Sequence, residues 1–134
     1  MFNNSQINEI LPGLFLTCAQ SVPFFPHPVD LVIICAEEIF ERPPVYKKLI
    51  HLEINDSMQE NLTIHFDKII REMDTILSTG GTILIYCHMG ISRSPSFCIA
   101  FLIKKYNLNY EKAFELVAAK RKIFPNPNFV QQLK

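Results

Sequence analysis

The sequence predicts an α/β protein with a central, mixed but mostly parallel sheet flanked by helices. Three observations carry this expectation. Apolar, β-branched runs such as VDLVIICA (residues 29–36) and TILIYC (82–87) read as strands buried on both faces, as in parallel sheets. Between and beyond them the apolar residues recur at helical spacing. TILIYC also runs through a short glycine-containing loop into a helix, which places that loop at the carboxyl end of a strand, where open α/β sheets keep their ligand sites.

Taken in order, INEIL and LFLT flank Pro12-Gly13 and predict two short strands around a turn. SVPFFPHPVD (21–30) holds three prolines and predicts a loop. VDLVIICA is then a central strand, EEIFERPPVYKK a connection, and LIHLEI (49–54) a further strand. From Glu60 the period is helical: Leu62, Phe66, Ile69, Ile70, Met73, Ile76 and Leu77 form one stripe, closed by Gly80-Gly81 as a left-handed C-cap. After TILIYC, the segment Ser94 to Tyr106 is apolar nearly all round and predicts a buried helix. Tyr110 to Arg121 predicts another, with Ala113, Phe114, Leu116, Val117 and Ala118 inward, and Pro125 precedes a short final turn ending at Leu133.

Composition sets bounds on function. The 134 residues, 49% hydrophobic, suit one domain spanning 1–134 with its own core. Formal net charge is zero and the longest basic run is KRK at 120–122, so no nucleic-acid or membrane partner is expected on charge. No apolar run approaches the roughly 20 residues of a membrane helix, and MFNNSQ resembles neither a signal peptide nor a myristoylation site. A monomer in the cytoplasm or nucleus is the default expectation. Cys18, Cys35, Cys87 and Cys98 include no CxxC pair and read as free thiols. His27, His51 and His65 read as structural, and His88 has no partners at zinc-like spacing, so neither metal nor cofactor is implied.

CHMGISRS (87–94) is the stretch that carries chemistry. A helix N-terminus offers unpaired N–H groups and partial positive charge, and a tight loop entering it can aim further amides at one oxyanion. Arg93 adds a planar fork matched to two phosphate oxygens. The same field favours the thiolate of Cys87, the nucleophilic form. A structural thiol beside a surface arginine is the plainer alternative, and the strand–loop–helix setting argues against it.

The chain resembles the dual-specificity protein phosphatases of the cysteine-dependent phosphatase superfamily. EILPGLFL is similar to the family's opening strands, LEINDSMQENL to its acid loop, CHMGISRSPS to its active site and PNPNFVQQL to its C-terminal segment. The resemblance implies a protein phosphatase acting on phosphotyrosine and phosphoserine/threonine through a phosphocysteine on Cys87, with phosphoprotein as its partner. It implies that residues His88, Met89, Gly90, Ile91, Ser92 and Arg93 bind the phosphoryl group. Ser94 would hydrogen-bond the sulfur, its plainer reading being a helix N-cap. Asp56 falls on the family's general acid, and otherwise reads as a turn aspartate. A phosphoinositide or RNA phosphatase, or a weakly active phosphosite-binding module, remains as the alternative. Tyr86 stands where the family usually has histidine, and the nine residues between Ala19 and Val29 are fewer than usual. Asn128 stands at a common glycine and would tolerate a left-handed backbone. Cys35 reads either as an inert core thiol or, as in some relatives, as a backdoor redox partner of the nucleophile.

Overall fold

The computed structural model describes residues 5–134, and the reading of the MFNN start lies outside them. Five strands form one sheet: β1 (Asn8–Leu11), β2 (Leu14–Cys18), β3 (Val29–Cys35), β4 (Tyr46–Leu52) and β5 (Ile83–Cys87), in the order β1-β2-β5-β3-β4. β1 pairs antiparallel with β2 through the Pro12-Gly13 turn, and every other pairing is parallel. The sheet is therefore mixed and mostly parallel, as expected. β5 lies at its centre with Leu16, Ile85 and Ile33 in one cross-strand row, all fully buried. Burial of such branched side chains on both faces is what fixes these strands, at about 1.5–3 kcal/mol each.

Four helices follow: α1 (Thr63–Ser78), α2 (Arg93–Tyr106), α3 (Tyr110–Ala118) and α4 (Pro127–Leu133). α2 is buried over its first ten residues and packs on β5, α1, α3 and α4, which explains its apolar circumference. Ile69 and Met73 of α1 are buried, and its stripe ends in a Schellman turn: Gly81 N–H reaches Ile76 and Gly80 N–H reaches Leu77, with Gly80 at φ 76°. Among the described residues no helix is long and apolar enough to cross a membrane.

Several local expectations need correction. The proline-rich loop begins as a 3-10 helix, Ala19–Phe24, because the chain must turn tightly back across Phe15, on which Phe25 packs edge-on. β4 starts at Tyr46 rather than Leu49 and stops at Leu52; as an edge strand it tolerates the exposed Tyr46, Lys47 and Lys48. α1 starts at Thr63 rather than Glu60, since Glu60 caps the preceding loop by accepting from Asn55 N–H. α3 stops at Ala118, and its Leu116 is exposed while Ala113 and Val117 face the core. Asn128 lies within α4, so its backbone is helical and not left-handed. Arg121 of the KRK run, of which the sequence reading drew only a charge count, is 2% exposed, a buried cation between the exposed Lys120 and Lys122.

Candidate active site

Cys87 ends β5, is 2% exposed, and sits at the floor of the loop 88–92 that leads into α2. The loop's shape is set from outside by its carbonyls. His88 O accepts from Ala19 N–H (3.1 Å), Met89 O and Gly90 O accept from Arg121 (3.0 and 2.7 Å), and Ile91 O accepts from Phe124 N–H (2.7 Å). In a trans peptide the N–H points opposite the C=O. Four outward-held carbonyls therefore turn the amides of Met89, Gly90, Ile91 and Ser92 inward, where none has a protein acceptor among the described residues. The first N–H groups of α2 add to them. This concavity is an oxyanion cradle.

Gly90 is the residue that lets the loop close. Its φ is +69°, and a Cβ there would stand 2.5 Å from Thr17 O and 2.6 Å from Arg121 Nη2. No side chain fits.

Ser94 lies in the first turn of α2 and donates its hydroxyl to Cys87 Sγ at 3.2 Å. The helix N-cap is Ser92, so the capping alternative for Ser94 does not hold. Arg93 opens α2 and is 6% exposed. Burial alone would push its guanidinium down; Glu38, and next the Cys87 sulfur, outweigh that and hold it above its ordinary value. Glu38 meets it with both carboxylate oxygens, each at 2.8 Å, and this contact with Arg93 draws the Glu38 carboxyl down to about 2. The sequence reading missed Glu38; the signal was CAEE at the end of the strand beside β5, and a buried arginine that needs a partner.

Asp56 approaches from the loop after β4. Its Oδ1 accepts from Ser92 Oγ and from Asn126 Nδ2, both at 2.8 Å, and its Oδ2 has no protein partner among the described residues. The loop is held from α4 and its N-cap: Asn126 and Asn128 donate to Ser57 O, and Asn128 and Gln132 donate to Glu60 O. Asn128 thus clasps the loop 55–60 through its side chain. His88 and Met89 are exposed and line a cavity of about 490 Å³ that reaches Gln20 and Glu41.

Tyr86 is fully buried, and its phenol donates to the Glu41 carbonyl. Burial pushes that phenol well above its ordinary value, so it remains a donor. Cys35 follows Ile34, the register partner of Tyr86, and so lies beside Cys87 in the sheet; burial, then the charge of Cys87, pushes its thiol well up. Cys18 is the register partner of Cys87 on the other side, a neighbour that went unnoticed in the sequence.

Comparison with known proteins identifies the family. The family model described as "Dual specificity phosphatase, catalytic domain" matches residues 17–134. Dual specificity protein phosphatase 1B of Arabidopsis thaliana is 38% identical over 67% of this chain and 53% of its own length. The human serine/threonine/tyrosine-interacting protein is 33% identical over 96% of this chain and 63% of its own length. The chain thus spans about half to two thirds of the length of these relatives. Crystal structures of human DUSP28 (28% identity, TM-score 0.85, covering 95% of this chain and 89% of that one) and of the human tyrosine phosphatase-like serine/threonine/tyrosine-interacting protein (33%, 0.84, 96% and 93%) share its fold. With a matching model over nearly all of its length and the cradle within the matched residues, this chain belongs to the dual specificity phosphatase family.

Proposed function

We propose that the chain hydrolyses phosphomonoesters on tyrosine, serine and threonine residues of proteins through a phosphocysteine on Cys87. The observation that carries this reading is the set of four inward amides above a cysteine whose sulfur accepts from Ser94. Cys87 attacks phosphorus as the thiolate, and the amides of Met89 to Ser92 with Arg93 take the phosphoryl oxygens and their transition-state charge. Asp56, through Oδ2, protonates the departing oxygen and then takes a proton from the water that attacks the intermediate. The Ser94 hydroxyl stabilises the sulfur as it leaves. Cys35 is proposed as a thiol that can trap an oxidised Cys87.

A second reading, a phosphosite-binding module with little turnover, draws support from the similarity to the serine/threonine/tyrosine-interacting protein over 96% of the chain. Phosphate release from phosphopeptides, phosphoinositides and 5′-triphosphate RNA separates the readings. Turnover of the phosphopeptides is expected. Cys87→Ser should abolish it while leaving oxyanion binding largely intact, because the amide cradle survives. Residual activity above about one per cent in that variant would refute covalent catalysis by Cys87.

A further inference from the structure

A guanidinium carries five N–H donors: one on Nε and two on each Nη. Three of those on Arg93 are taken by the protein. Nη1 donates to Glu38 Oε1 at 2.8 Å and to the Ile54 carbonyl at 3.1 Å, and Nη2 donates to Glu38 Oε2 at 2.8 Å. The remaining two, Nε–H and the second Nη2–H, have no protein acceptor among the described residues. They share one edge of the plane and run parallel, which is the fork that fits two oxygens of a phosphoryl group. Glu38 therefore occupies the end of the guanidinium and leaves its side edge to a ligand.

The loop that presents Glu38 is itself anchored. Glu37 N–H donates to Ile54 O at 3.0 Å, His51 Nε2 bonds to Ala36 O at 2.7 Å, and the Tyr86 phenol holds the Glu41 carbonyl. His51 also packs edge-on against Phe40, with ring centroids 5.1 Å apart. Glu38 stands between these anchors, and its carboxylate, although 46% exposed, has a fixed origin.

We propose that Glu38 is a positioning residue for phosphoryl transfer, which rests on the phosphatase reading above. It dictates which edge of Arg93 meets the phosphoryl group, and Tyr86 acts through it by pinning the loop. Two other roles make different demands. A carboxylate that merely competes with phosphate for Arg93 would slow the enzyme, so its removal would tighten anion binding. A carboxylate that merely neutralises a buried cation would alter stability and leave kinetics alone.

The test compares the wild-type chain with Glu38→Gln and Tyr86→Phe. The measurements are p-nitrophenyl phosphate hydrolysis, tungstate affinity by calorimetry, and thermal unfolding. Glutamine keeps the size and one acceptor but turns an amide N–H₂ toward Arg93, so kcat should fall by roughly tenfold to a hundredfold with KM shifted far less. Tungstate affinity should weaken by about tenfold, since the cradle amides remain but the fork loses its orientation. Tyr86→Phe should give a smaller fall of the same kind, and none when added to Glu38→Gln. Unchanged kcat, or tighter tungstate binding, in a folded Glu38→Gln protein overturns the proposal. Should that variant not fold, an unaltered kcat in Tyr86→Phe does so. If the wild type binds tungstate without turnover, the phosphatase reading fails and the binding measurements alone judge Glu38. If it binds none, both readings fall.

Discussion

The loop 88–92 and the loop 55–60 bring chemistry to the same point by opposite means. The first is held through its backbone, with four carbonyls bonded outward and one glycine at positive φ. The second is held through side chains, by Asn126, Asn128 and Gln132 reaching from α4 and its cap. A backbone-built cradle is indifferent to most side chains it carries, which is why His88 and Met89 can face solvent. It has no tolerance at its one conformational hinge. A loop held by side chains can be loosened one bond at a time, each worth about 0.5–1.5 kcal/mol.

Gly90→Ala tests the first half of this contrast and should have the largest effect. The methyl group meets Thr17 O and Arg121, so the loop must shift. A displacement of about 1 Å at the phosphoryl site can cost a hundredfold in kcat/KM, and the strained φ adds roughly 1–3 kcal/mol of destabilisation. Near-normal hydrolysis of p-nitrophenyl phosphate would show that the cradle adapts, and the contrast would be lost.

The second half is graded. Asp56→Asn should lower turnover of phosphoserine peptides by about 10² to 10³, and of aryl phosphates by about tenfold less, because an aryl oxide needs its proton less than an alkoxide does. Asn126→Ala leaves the carboxyl in place but removes one of its two donors. A loss of only a few-fold on phosphoserine, with about 1 kcal/mol of stability, is expected. Equal losses in the two variants would mean that the side-chain hold is as unforgiving as the backbone one.

The smallest effect concerns the strand ends beneath both loops. Cys35 and Cys87 are the residues next after the register pair Ile34 and Tyr86, and the usual spacing of adjacent strands, about 4.8 Å, lies inside the roughly 7 Å Cα limit for a bridge. Hydrogen peroxide should oxidise Cys87 to the sulfenic acid, which the Cys35 thiol converts to a disulfide with loss of water. Non-reducing peptide mapping should find that pair, with activity restored by dithiothreitol. Undiminished recovery in Cys35→Ser would leave Cys35 as a core thiol, and a Cys18–Cys87 pair would name the other neighbour.

The cradle and the central strands were legible because their determinants are local. Cys87, Gly90 and Arg93 lie within seven consecutive residues, and VDLVIICA declares its burial by composition. The rest depends on partners distant in the chain. Glu38 and Arg93 are 55 residues apart, Asn126 and Asp56 are 70 apart, and Arg121 and Gly90 are 31 apart. No spacing rule connects such pairs. Leu116 was placed inward because its helical stripe was read wider than the face of α3 that packs on α2. Asn128 was judged by backbone tolerance, whereas its side chain is what matters.

Arg121 has a consequence for the order of events during synthesis. One guanidinium joins the carbonyls of Met89 and Gly90 to Gln6 O and to the Asn8 side chain, spanning 115 residues of chain. A nascent polypeptide that has emerged only as far as α2 already holds Cys87 and Arg93, yet of the loop between them only the His88 carbonyl is braced, by Ala19. The remaining brace arrives with residue 121 and closes on Gln6 and Asn8, made more than a hundred residues earlier. Ligand affinity on the ribosome should therefore appear late and abruptly, once that residue clears the exit tunnel, rather than grow with length.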